Sequence, residues 1–172
     1  MFTNAAEVEQ AQRISPRVLN FSNAARELGV PRVISDDPAV GRIAAEYLHA
    51  RGFRQFGYFG SPGHNYSTER LAGFAETIRR ISPAAGLSER YHTKGIRDWI
   101  RNLPKPVAIF SCTDVRASAV IDAAVAEQQR VPAEVAVLGV DNDEVICALA
   151  RVPLSSVIQS TRKIGFEAAK LL

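Results

Sequence analysis

Asp141, Asn142, Asp143 and Glu144 follow directly on the apolar run VLGV (137–140). Four acid or amide side chains in a row suit a hard cation, a phosphate acceptor, a catalytic carboxylate pair, or acceptors for the hydroxyls of a neutral ligand. A calcium loop needs acids at alternating positions, a central glycine and a glutamate at position twelve; here the glycine precedes the acids, and no His or Cys supports a zinc site. A phosphate acceptor would keep company with an acidic pair at the first strand end and a late lysine, which are absent. The three histidines (His49, His64, His92) follow no triad pattern, and G-x-S-x-G, P-loop and G-x-G-x-x-G motifs are all lacking. No metal and no cofactor are therefore expected, and an enzyme is not. What remains is a set of hydrogen-bond acceptors, against the plainer reading that Asp141 bonds only to its own loop.

Two further polar residues stand where Asp141 stands, at the carboxyl ends of apolar runs: Asp114 follows VAIFSC, and Arg70 opens the stretch after QFGYFG. Open α/β sheets bind ligands at that edge, so the three converge on a pocket for a small hydroxyl-rich molecule. The elements that must position them are strand candidates at 17–22, 31–36, 55–60, 107–112, 134–140 and 155–160, with one weak edge candidate at 89–92. They alternate with helix candidates at 3–13, 38–51, 68–81, 95–102, 114–129 and 161–172, a pattern of parallel strands with crossover helices. Asp37-Pro38 reads as N-cap and first helical residue, Gly52 as the left-handed residue ending that helix, and Thr113 or Asp114 as the cap of the next-to-last long helix. In that helix Val115, Ala119, Ile121 and Val125 are expected to form the buried face. Trp99 is placed in a helix-to-sheet core, and Tyr66 either stacks on a ligand or packs half-buried in its loop.

Composition sets the bounds. With 47% hydrophobic and 23% charged residues, 172 residues make an ordinary folded chain with a sizeable core. The excess of 21 Lys+Arg over 18 Asp+Glu is small and its arginines are scattered, which argues against nucleic-acid binding by this segment. Cys112 and Cys147 sit in apolar contexts at no metal spacing and read as reduced thiols. Neither an export signal nor an apolar run of spanning length is read, so a cytoplasmic location is expected, with no membrane partner.

The segments GVPRVISDDPAVGRIAAEYLHARGFRQFGYFG, STERLAGFAETI, AIFSCTDVRASAVIDAA and EVAVLGVDNDEVICALARVPLSSVIQSTRKIGFEAAKLL resemble the effector-binding domain of lactose-repressor-type transcription regulators, a fold shared with periplasmic sugar-binding proteins. The combination GVDNDE, LARVPLSSV and GFEAAKLL is most similar to the xylose-responsive members. The resemblance implies an α/β, doubly wound parallel sheet of the periplasmic-binding-protein-like kind, with strand order 2-1-3-4-5. It also implies one nearly complete lobe at 38–154, and parts of an N-terminal lobe at 1–37 and 155–172. Residue by residue, it carries sugar contacts onto Arg70, Asp141 and Gln159, and onto Thr113 and Asp114, where a hydroxyl replaces the family's usual amide; Asp36 sits near the crossover between lobes. It further implies a sugar effector, a pentose such as xylose, bound between lobes. DNA would be met only through a module outside these residues, and a homodimer is expected. A sugar-binding transport component is the alternative, and a small-molecule-processing α/β enzyme the weaker one.

Overall fold

In the computed structural model, which describes residues 4–25 and 28–171, five parallel strands make one sheet. Its strands are β1 (Gln55–Phe59), β2 (Gly86–Arg90), β3 (Val107–Ser111), β4 (Val135–Val140) and β5 (Ser155–Val157), in the expected order β2-β1-β3-β4-β5. Alternate residues of the central strands feed two cores. Phe56, Tyr58, Ala108, Phe110 and Leu138 pack beneath α2 (Asp37–Ala50) and α3 (Asn65–Ile81). Phe59, Val107, Ile109 and Val135 pack beneath α4 (Ile96–Asn102) and α5 (Asp114–Ala126). A sheet covered on both faces is what all-parallel pairing requires, and it explains the near-continuous apolar runs.

Helices α2 and α3 touch at their backbones. A Cβ on Gly41 would overlap the Arg70 carbonyl oxygen, and one on Gly73 would overlap the Pro38 carbonyl oxygen. The two glycines thus let α2 and α3 cross closely enough to bring Asp37 beside Arg70. Asp36, not Asp37, caps α2, accepting from Ala39 N at 2.9 Å; the preceding acid has the non-helical backbone a cap needs, which frees Asp37 to turn inward. Gly52 ends that helix at φ +90° as expected, and Thr113 caps α5. On α5 the buried face runs through Ala117, Val120, Ile121 and Ala124, while Val115, two positions before Ala117 and so on the other side of the helix, is 64% exposed. Trp99 lies against Phe59 with its Nε1 donating to Ser88 Oγ at 2.9 Å.

Three further expectations change. The runs 17–22 and 31–36 meet only through one parallel bridge, Asn20 with Arg32, among the described residues; a two-strand parallel ribbon lacks the neighbours that stabilise such pairing, and Pro31 offers no amide. Ser155–Val157, placed by sequence with the smaller part, pair with β4, so the sheet continues past 154; Val140 faces Val157, extending the apolar row. The edge strand β2 begins at Gly86, ahead of the weak candidate at 89–92. The remaining helices are α1 (Ala5–Ile14), the short α6 (Glu144–Leu149), which sequence reading missed, and α7 (Thr161–Leu171), whose one buried residue is Ala168. Among the described residues no helix is long and apolar enough to cross a membrane.

Candidate functional site

The carboxyl ends of β1, β3 and β4 open onto a cleft of about 530 Å³, closed on the far side by 21–24, 34–35 and the start of α7. Arg70 comes from the first turns of α3, Thr113 from the end of β3, Asp141 from the end of β4 and Gln159 from the link between β5 and α7; all four line it. Arg70 is 4% exposed. Its Nε donates to Asp37 Oδ1 at 2.7 Å and its Nη1 to the Cys112 carbonyl oxygen, while Tyr66 lies 5.1 Å from its guanidinium carbon. A guanidinium carries five N–H donors, so these bonds fix the group and leave others for a ligand.

Asp37 is itself held by Asn23 Nδ2 at 2.7 Å, and Asn23 continues to Glu69 Oε2 at 2.7 Å and receives Asn65 Nδ2 at 2.8 Å. Backbone bonds from Asn65 N and Tyr66 N to the carbonyls of Ala24 and Asn23 seat this segment on the first turn of α3. Buried amides in a closed network of this kind hold one geometry, because leaving any member unpaired is costly. Sequence reading missed Asn23, Asn65 and Glu69 as well as the inward role of Asp37, since isolated polar residues carry no periodic signal. Tyr66 belongs to the cleft wall, half-buried, between Arg70 and His64.

At the end of β4 the DNDE turn is bent by two residues in left-handed backbone, Asp141 at φ 109° and Asn142 at φ 52°. Asp143 is spent on capping α6, accepting from Val145 N and Ile146 N at 3.0 Å each. Asp141 Oδ1 accepts from Gln159 Nε2, and Gln159 Oε1 accepts from Ser35 Oγ, so one amide ties the two sides of the cleft together. Although Asp141 is open to the cleft, the surrounding walls strip water from it and push its pKa up; Arg70 and Gln159 oppose that shift, and Asp114 and Asp37 reinforce it. Cys112, beneath the cleft, is also raised, again chiefly by burial.

Two candidates do not face the cleft. Asp114 is 1% exposed and accepts from Asp143 N at 2.8 Å and Ser156 Oγ at 2.6 Å, because Gly139 beside it has no Cβ to exclude it from under the turn. Asp36, as the α2 cap, borders a separate depression between α2 and α7. No three His, Cys, Asp or Glu side chains gather for a metal among the described residues.

Residues 45–172 match the periplasmic binding protein-like domain. The chain is 33% identical over 154 residues to the xylose operon regulatory protein of Haemophilus influenzae, covering 83% of this chain and 40% of that protein. It thus spans about two fifths of that relative's length. Among solved structures it superposes on the xylose-binding transcription activator XylR with a TM-score of 0.81 at 26% identity, over 96% of this chain and 48% of that one. It also superposes on the transcriptional regulator CelR in its cellobiose complex, with a TM-score of 0.68 at 30% identity, over 86% and 49%. With the sheet order, the cleft at the strand ends and a match covering well over half its residues, the chain belongs to the periplasmic binding protein-like domain family.

Proposed function

We propose that this chain is the effector-binding part of a sugar-responsive transcription regulator, and that Arg70, Asp141, Gln159 and Thr113 hold a neutral sugar, with D-xylose as the lead candidate. The observation that carries the reading is the convergence of a fixed guanidinium and a carboxylate, from the first turns of α3 and the end of β4, on one cleft. A guanidinium donates to vicinal hydroxyls and a carboxylate accepts from them, the pairing a polyol needs. Two of the similar proteins are a xylose operon regulator and a xylose-binding activator, and a third binds cellobiose, which supports the ligand class.

In this reading residues 4–36 and 158–171 are pieces of a second lobe. The sugar bridges the two sides, and its preference for the closed arrangement biases a DNA-binding module outside this chain. A cytoplasmic location and pairing of two copies complete the proposal. Unfolding monitored against a panel of pentoses and hexoses tests it. A ligand that binds only the folded chain raises the melting temperature with concentration; D-xylose is expected to do so, and a panel in which no sugar shifts the transition would overturn the reading.

A further inference from the structure

Asp114 lies where sugar contact was expected, yet both its oxygens point away from the cleft and into the underside of the Asp141 turn. Oδ2 accepts from Asp143 N at 2.8 Å, and Oδ1 accepts from Ser156 Oγ at 2.6 Å. Ser156 Oγ in turn accepts from Asn142 N at 2.9 Å. The amide before it, Asp141 N, bonds to Val157 O at 3.1 Å. Three successive amides, 141 to 143, are thereby tied to β5 and α5, and these span the two residues whose backbone is left-handed. Aspartate and asparagine enter left-handed backbone more readily than other residues with a Cβ, but as single residues, and two in succession are uncommon.

Gly139 and Ser156 are register partners in β4 and β5, and a Cβ on Gly139 would overlap Asp114 Oδ1. The glycine, the serine and the buried acid therefore form one device.

We infer that Asp114, acting through Ser156 and admitted by Gly139, is a positioning residue: it holds the strained 141–142 turn so that Asp141 presents its carboxylate to the cleft, and it does not touch the ligand. The inference rests on the effector reading for its consequence on binding, but not for its structural content.

Two readouts on the full chain separate these. Backbone NMR of Ser156→Ala should show the Asn142 amide losing its hydrogen bond, seen as a steeper temperature dependence of its proton shift, with residues of β3 unchanged. Asp114→Asn should disturb the Asp143 amide or the Ser156 link, because an NH₂ replaces an acceptor facing a donor. In D-xylose titrations, Ser156→Ala should weaken affinity about fivefold to tenfold, because both hydrogen bonds of the hydroxyl, from Asn142 N and to Asp114, are lost. Ser156→Thr, which keeps the hydroxyl, should restore it, and Ser156→Ala should add nothing in an Asp141→Ala background. Unchanged Asn142 and Asp143 amides would overturn the inference. So would altered amides with undiminished affinity, or full additivity with Asp141→Ala. Altered amides in a chain whose unsubstituted form binds no sugar would uphold the support of the turn and sink the effector reading instead.

Discussion

Phe110 and Phe166 are the same residue type in the same chain, yet one is 0% and the other 63% exposed. Phe110 sits in the third strand of a sheet sandwiched between helix layers and touches the rings of Phe74, at 5.1 Å between centroids, and Tyr58, at 5.6 Å. Phe166 projects from α7, alongside Ile158 (72% exposed) and Leu171 (61%), with only Ala168 of that helix buried. Both regions have the apolar pattern of a packed element. What differs is the number of neighbours available, so an apolar face announces that a partner is needed without saying whether one is at hand.

The sharpest way to break this comparison is to remove the two rings. Phe110→Ala should cost about 3–5 kcal/mol in denaturant unfolding, whereas Phe166→Ala should fall within about 0.5 kcal/mol of the parent. Comparable losses would mean that α7 is packed in the dilute chain as firmly as the sheet.

The same contrast holds for charge. Asp37→Ala strands the Arg70 guanidinium in a site where it is 4% exposed, and should cost about 3 kcal/mol. Asp122→Ala, at the exposed pair with Arg151, should be almost silent, at about 0.5 kcal/mol or less. Equal effects in urea titrations would remove the basis for calling Asp37–Arg70 the structural anchor of the cleft.

Smaller still is the cap. Asp143→Ala should destabilise by about 1 kcal/mol, because α6 loses the acceptor for two first-turn amides. A neutral result would detach Asp143 from the turn it ends.

The smallest effect is a pH dependence. The folded chain holds Asp141 at a raised pKa, so it binds that proton more tightly than the unfolded chain does. Ionisation then opposes folding: stability falls as pH rises from the ordinary aspartate range through the raised folded value, and the full penalty persists above it. Asp141→Asn should therefore be slightly more stable than the parent at neutral pH, with the difference vanishing as pH falls below the ordinary aspartate range. A difference of opposite sign would show that Arg70 and Gln159 outweigh the loss of water.

How much of this was legible in the sequence depends on burial. QFGYF, VAIFS and VAVLGV gave away β1, β3 and β4 because nearly every side chain in them is buried and hence apolar. GLSER hid β2, since an edge strand half-open to water keeps polar residues, and the six residues of α6 are too few to show a helical period. Runs 17–22 and 31–36 looked like strands for the reason Phe166 looks like core. Within the cleft, Arg70, Thr113, Asp141 and Gln159 were found from strand-end position and resemblance. Position alone does not tell which way a carboxylate turns, so Asp114 was read outward although it faces the turn, and Asp37 was read as the cap that Asp36 supplies. Asn23, Asn65 and Glu69 meet only after folding, across 42 and 46 residues of chain, and no local pattern foretells that.

Calorimetric titration of D-xylose into the parent chain, Asp141→Ala and Gln159→Ala tests the central claim most directly. The account predicts one site per chain in the parent and a loss of about 2 kcal/mol of binding free energy in Asp141→Ala, because a charge-assisted bond disappears and ligand hydroxyls are left unpaired. A smaller loss is expected in Gln159→Ala, whose amide is shared between Asp141 and Ser35. Heats that reveal no site, or equal affinity in all three proteins, would contradict it.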